Sequence, residues 1–405
     1  MRRRPLPLIF LACALPRFAA LAVWPADLDT LYYQLSTGLS HAHRFSIDGE
    51  LVTRIEPFYP FVLAAGRFIT GDHAAALLVL QIVVASLGGV MLFLLTRDAT
   101  RDEPTAWIAS LLYAVSPYLI RQSVAFMEVT AATVLLIAAA LRVRRVTGAL
   151  DAVVLGLLLG AIVLTRFSFL PIAAGAVAIV GLRRVRYAIV TGLMSASCIV
   201  PWMAYSRAIS DAALPPRIGE NLFVSTSEYA WPVIPRLNPD LLLPIAGDLV
   251  HREMARRGIT VYSVTEQDRI LTGLAIDYAR AHPMATLWLK IRNFLYILQP
   301  RLLPFYERVG WAAMVNGRLE IPQQRPRPLI FEAVAAAFQT ILTVGGIAGL
   351  AIRWRYRRDD AFLLVVAASV IAINVVFFPT SRLLAPMTFV WMFYTAVAVR
   401  ELVYG

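Results

Sequence analysis

The chain has 405 residues, 59% of them hydrophobic and only 16% charged, with a mean hydropathy of +0.67. Soluble domains are less apolar and carry about a quarter charged residues, so that class is excluded. The net charge of +12 would suit a nucleic-acid partner if the basic residues shared a face, but the arginines fall in short clusters between apolar runs and read as topology signals.

Arg2 to Arg4 followed by an apolar run from Leu8 to Trp24 also fits a signal peptide. Arg17 interrupts that run and many spans follow, so an uncleaved first helix is expected. Further runs near the ~20 residues that cross a ~30 Å hydrocarbon core lie at 74–96, 104–120, 124–141, 151–165, 168–182, 187–206, 329–352, 361–378 and 383–400. With the first, that makes ten spans.

Basic residues near span ends are retained in the cytoplasm. Placing Arg2 to Arg4 inside puts Arg97 and Arg101, Arg142 to Arg145, Arg183 to Arg186 and Arg353 to Arg358 on that same side, while the opposite short turns hold only Arg121, Arg166 and Arg382. A crossing by 286–303, which holds Lys290, Arg292 and Arg301, would move the Arg353 cluster outside. That segment therefore reads as an amphipathic interfacial helix, with Trp288 and Tyr296 as anchors. The expected organisation is an all-α polytopic membrane protein of about ten transmembrane helices, with both termini inside. Residues 1–206 form a seven-span catalytic module with a first outer loop at 25–73, residues 207–328 an outer loop carrying the interfacial helix, and 329–405 a three-span bundle.

A charge within a span costs on the order of 3 kcal/mol and marks a cavity or a partner. Glu128 is expected about one turn into its span from the outer end, Arg166 in a tight outer turn, Arg382 at the outer start of the last span, and Asp27 and Asp29 just after the first span. Each has a plain alternative: the aspartates are solvated, Glu128 pairs with a nearby arginine, and the arginines snorkel to headgroups. Arg17, deeper, is expected to pair with a carboxylate across the bundle. Together the set suits one reaction, in which a carboxylate deprotonates an acceptor hydroxyl and arginines hold a phosphate as it leaves. His41, His43, His73, His251 and His282 are scattered, Cys13 and Cys198 lack metal or redox spacing, and no obligatory metal or other cofactor is expected.

Asp29, Tyr32 and Ser36 after the first span, Phe45 to Gly49, then Pro57-Phe58-Tyr59-Pro60 and Gly71, make a characteristic order. Glu128, the Gly156 to Arg166 run, Pro201-Trp202, Gly219 to Asn221, His282-Pro283, and Arg382 four residues before Pro386 continue it. In these motifs the chain resembles the GT-C superfamily of integral-membrane glycosyltransferases, in the branch of protein O-mannosyltransferases and the aminoarabinose transferase. The resemblance implies inverting transfer of a hexose or pentose from polyprenyl phosphate to an acceptor hydroxyl, at the periplasmic face of a bacterial inner membrane. Asp29 would be the base, and Arg54, Glu56, Tyr59, Glu128, Arg166 and Arg382 would bind donor phosphate and substrate. The acceptor would be a protein, a lipid or a glycan, with membrane lipids as neighbours and no nucleic-acid partner. Arg54-Ile55-Glu56-Pro57 departs from the family's Glu-Lys order before its paired prolines, which leaves Arg54 and Glu56 least anchored. Two other classes stand beside this one: a lipid-linked oligosaccharide polymerase or ligase using a diphosphate donor, and a non-enzymatic transporter.

Overall fold

The computed structural model describes residues 5–24, 27–213 and 217–404; the Arg2 to Arg4 cluster lies outside them. From the N-terminus come α1 (Pro5–Val23), α2 (Leu31–Ala42), the ribbon β1 (Ser46–Ile47) and β2 (Glu50–Leu51), α3 (Phe58–Thr70), α4 (Ala74–Thr100), α5 (Glu103–Ala114) and α6 (Pro117–Ser123). Next are α7 (Val129–Val143), α8 (Ala149–Thr165), α9 (Leu170–Arg183), α10 (Val185–Ser210), α11 (Ile218–Ser225), α12 (Ala230–Val233), α13 (Leu243–Arg256), α14 (Val264–Ala281) and α15 (Pro283–Leu298). The strands β3 (Tyr306–Glu307), β4 (Ala313–Val315), β5 (Arg318–Glu320) and β6 (Arg325–Pro326) precede α16 (Leu329–Arg353), α17 (Ala361–Val376), α18 (Ser381–Leu384) and α19 (Thr388–Tyr404). Among the described residues the strands form two-stranded antiparallel ribbons, β1 with β2, β3 with β6 and β4 with β5. The protein is essentially all-α.

Among the described residues five helical stretches, Pro5–Val23, Ala74–Thr100, Val185–Ser210, Leu329–Tyr356 and Ser381–Val403, are long and apolar enough to cross a membrane. This is a multi-pass membrane protein. Shorter apolar helices at Val129–Val143, Ala149–Thr165, Phe167–Arg183 and Ala361–Val376 cover four more expected spans. The run 104–120 differs from expectation: it is not one helix. Pro117 has no N–H and biases Ser116 away from helical dihedrals, so α5 stops at Ala114 and α6 starts afresh.

The chain divides into two compact units, one of 1–202, 337–369 and 385–405 and the other of 203–336 and 370–384. In the first, the Pro117 break has a consequence for Arg17. The Tyr113 carbonyl would have bonded the N–H of residue 117, and instead it accepts from Arg17 Nη2 at 3.3 Å. Arg17 is fully buried, donates also to the Cys13 carbonyl at 2.7 Å, and lies 5.0 Å from the Tyr113 ring centroid. The expected carboxylate partner is thus replaced, among the described residues, by carbonyls and an aromatic face.

Many of the clustered arginines meet carboxylates at one end of this unit. Arg145 and Arg144 reach Asp98 (3.1 and 3.6 Å), Arg142 reaches Asp151 (2.8 Å), Arg400 reaches Asp102 (3.1 Å), and buried Arg353 holds Asp360 (2.6 Å) and the Ala99 carbonyl (2.8 Å). These pairs gather the ends of α4, α7 and α16, the starts of α5, α8 and α17, and the C-terminal part of α19. The helices therefore alternate in direction, as the arginine pattern requires. Small residues let them close: a Cβ at Gly349 on α16 would lie 1.7 Å from the Tyr394 carbonyl of α19.

The second unit has an aqueous-type core in which Leu241, Leu242, Ile245, Val250, Ile270 and Leu271 pack together, each buried aliphatic contributing roughly 1.5–3 kcal/mol. Gly219 allows α11 to touch α14, since a Cβ there would lie 2.0 Å from the Asp268 carbonyl. The expected interfacial helix is α15, ending at Leu298 and not at 303, because Pro300 forces Gln299 into an extended conformation. Met284, Leu287, Trp288, Ile291, Phe294, Leu295 and Leu298 form an exposed apolar stripe along it. On its other face Lys290 Nζ donates to the Val376 carbonyl (2.6 Å), and Asn293 Nδ2 to those of Val375 (3.2 Å) and Phe377 (3.1 Å). These carbonyls end α17 and have no helical partner of their own.

Candidate active site

In the first unit, Tyr32, Leu35, Phe45, Ile55, Tyr59, Leu63, Phe126 and Trp202 form one buried cluster. It ties α2, the β1–β2 ribbon and α3 to the turn before α7. Tyr33 stacks on Phe126 at 4.7 Å, Tyr32 meets Tyr59 edge-on at 5.3 Å, and Phe45 meets Trp202 at 4.9 Å. Trp202, of the Pro201-Trp202 pair, therefore anchors the ribbon through Phe45.

Glu128 sits at the residue before α7, where its side chain makes no cap bond, and does not lie a turn inside the helix, because the helix begins only after the Val124–Met127 turn. Fully buried, it accepts from Arg166 Nε at 3.1 Å and pairs also with Nη2. Arg166 is itself 5% exposed and follows α8 in an extended conformation. Its Nη1 has no hydrogen-bond partner among the described residues, which leaves one donor of a buried guanidinium for a further acceptor.

Tyr59 donates to Gln81 Oε1, while Gln81 Nε2 faces the carbonyls of Ala125 (2.8 Å), Ser123 (3.0 Å) and Gln122 (3.3 Å). This fixes α3 and α4 against the turn that carries Glu128. Burial, then the nearby Glu128 charge and Tyr32, push the Tyr59 hydroxyl well above its ordinary range and keep it a donor.

Asp29 is exposed, next to the N-cap Thr30 of α2, and its N–H donates to Asp27 Oδ1 at 3.1 Å. Among the described residues none bonds the Asp29 carboxylate. Arg54 is exposed and Glu56 half-buried in the turn leading to α3. Arg382 is half-buried at the start of α18, in the second unit. Of the expected set, Glu128 and Arg166 are in direct contact and Tyr59 is linked to them through Gln81 and the turn.

Arg67 stands outside the set expected from the sequence. It is 5% exposed within α3, and it donates to Ser36 Oγ (3.1 Å) and Thr37 Oγ1 (2.9 Å), pairs with Asp72, and covers the Tyr33 ring at 4.4 Å. Asp72 also meets His41 Nε2 at 2.9 Å. These bonds, Arg67 first and His41 second, hold the Asp72 carboxyl below the usual range. The available signal was a lone arginine in the apolar run Phe58 to Thr70. Among the described residues no three His, Cys, Asp or Glu side chains are placed to hold a metal.

No family model matches the sequence, and no curated protein matches it significantly. Among solved structures, the oligosaccharyltransferase of Archaeoglobus fulgidus superposes on 100% of this chain and 51% of its own, with a TM-score of 0.56 at 16% identity. The chain carries the GT-C fold. It spans about half the length of that oligosaccharyltransferase, so the shared GT-C fold covers this whole chain and only part of the larger protein. ArnT from Cupriavidus metallidurans, solved without ligand, aligns over 97% of this chain and 76% of its own at 13% identity, with a lower TM-score of 0.41.

Proposed function

We propose that this chain is a membrane glycosyltransferase that moves one sugar from a polyprenyl-phosphate donor to an acceptor hydroxyl. The observation that carries the reading is that one compact unit holds both an exposed carboxylate, Asp29, with no bonded partner among the described residues, and a buried guanidinium, Arg166, that keeps a donor nitrogen in reserve. Asp29 takes the hydroxyl proton, the freed oxygen attacks the anomeric carbon, and the carbon–oxygen bond to phosphate breaks with inversion. The departing phosphate gains charge, which Arg166 Nη1 stabilises with Arg54 of the same unit; for Arg382 a phosphate-binding role rests on the sequence resemblance alone. Glu128 keeps Arg166 in place, and Tyr59 with Glu56 completes the substrate-binding set. Ten crossings would set this chemistry on the periplasmic side of a bacterial inner membrane, with both termini cytoplasmic.

The test is purified protein with radiolabelled undecaprenyl- or decaprenyl-phosphate sugars and native membranes as the acceptor source. Wild type should consume donor and transfer label, and Asp29→Asn should lose about 10²- to 10⁴-fold in rate. Undiminished transfer by Asp29→Asn removes the assigned base. Consumption of diphosphate-linked donors alone moves the protein to the polymerase or ligase class, and flipping of lipid without transfer makes it a transporter.

A further inference from the structure

A cavity of about 560 Å³ opens between α2 and the β1–β2 ribbon, beginning at Leu28, one residue from Asp29. That volume lies within the about 300–1,000 Å³ usual for small-molecule sites. One wall is a single helical face, with Tyr33 and Gln34 followed by Thr37 and, four residues on, His41, and the other carries Arg44 and Asp48. Amide, hydroxyl, imidazole, guanidinium and carboxylate groups there offer both donors and acceptors beside one aromatic ring. Such a lining matches a polyhydroxylated ligand and is poorly suited to an isoprenoid tail.

The walls are built to hold their shape. Asp48 and Gly49 both have positive φ, 51° and 85°, and close a two-residue hairpin loop between the paired Ile47 and Glu50. Helix and ribbon touch through backbone at Gly38, where a Cβ would lie 2.3 Å from the Ser46 carbonyl. Behind the helical wall, buried Arg67 binds Thr37 and Asp72, and Asp72 fixes the His41 ring.

We infer that this cavity binds the acceptor, and that the acceptor is a carbohydrate which presents a hydroxyl to Asp29. The inference rests on the proposed function for the role of Asp29 but is tested by binding alone. Purified protein in nanodiscs is titrated with methyl glycosides and di- and trisaccharides by saturation-transfer NMR, using Asp29→Asn to suppress turnover. A Ser/Thr-containing peptide is the competing probe. At least one saccharide should bind, with affinity falling fivefold or more in Gln34→Leu and in Asp48→Asn. Asn also tolerates positive φ, so Asp48→Asn keeps the ribbon even where the helical variant fails to fold.

The inference is overturned if no saccharide binds, if both folded variants bind as tightly as the parent, or if the peptide binds in place of saccharide with the same sensitivity to these variants. Undiminished transfer by Asp29→Asn would sink the proposed base while leaving this binding result standing.

Discussion

The two ends of the first unit use the same residue types differently. At the end that gathers Arg142, Arg144, Arg145, Arg353 and Arg400, each of these guanidiniums faces a carboxylate on a neighbouring helix or loop. At the other, Glu128 engages two of the three Arg166 nitrogens, and Asp29 stands exposed with no bonded partner among the described residues. Paired charge fastens helices together; charge held in reserve can meet a substrate. Arginine count separates one end of the bundle from the other, but only the partners separate scaffold from site.

That contrast breaks most sharply if Asp29→Asn, with its expected loss of about 10²- to 10⁴-fold in rate, also lowers the melting temperature. It should not, and a thermal unfolding curve in detergent decides. At the opposite end, Arg353→Met strips Asp360 of its buried partner and should cost about 3–5 kcal/mol of stability, with kcat of the folded fraction unchanged. Gln81→Leu leaves the Tyr59 hydroxyl without its acceptor, which should cost about 1–3 kcal/mol. It should also lower kcat by freeing the turn that carries Glu128, and kcat unmoved would deny Gln81 that positioning role.

A smaller effect belongs to Lys290, whose burial brings the ammonium from 10.5 down to about 8. Between those values the unfolded chain holds a proton that the folded chain has released, so stability should rise from pH 8 to 10.5. Lys290→Met should flatten that rise, and parallel pH curves for the two proteins would refute it. Smallest is Arg400→Gln at the partly exposed Asp102 pair, at about 0.5 kcal/mol.

Much of this was legible in the sequence because hydropathy and arginine placement are strong, local signals. Helices α4, α10 and α16 appear where apolar runs predict them, and the basic ends meet as the alternation demands. Helix α2 lies within what the sequence presents as a motif-bearing outer loop, since Asp29, Tyr32 and Ser36 carry no apolar period long enough to stand out. The short α3 likewise passed as loop, hiding Arg67. Pro117 was visible, but the neighbouring apolar residues made 104–120 look like one span. Which carboxylate each arginine meets depends on contacts such as Arg166 to Glu128, 38 residues apart, and no local pattern encodes that.

The Arg17 contact has a consequence for how the protein is made. Its acceptor, the Tyr113 carbonyl, lies 96 residues further along the chain. At about 5–20 residues per second, α1 waits roughly 5–20 s after leaving the ribosome before α5 can relieve its buried charge. During that interval the first helix is a poor membrane resident. If that charge opposes insertion, α1 stays beside the insertion machinery or near the surface until its partner arrives, and α1 and α5 then insert as one unit despite the helices between them. Nascent chains stalled after residue 101 should therefore release α1 from bilayers under alkaline extraction more readily than chains stalled after residue 125. Equal retention of the two would show that α1 settles alone.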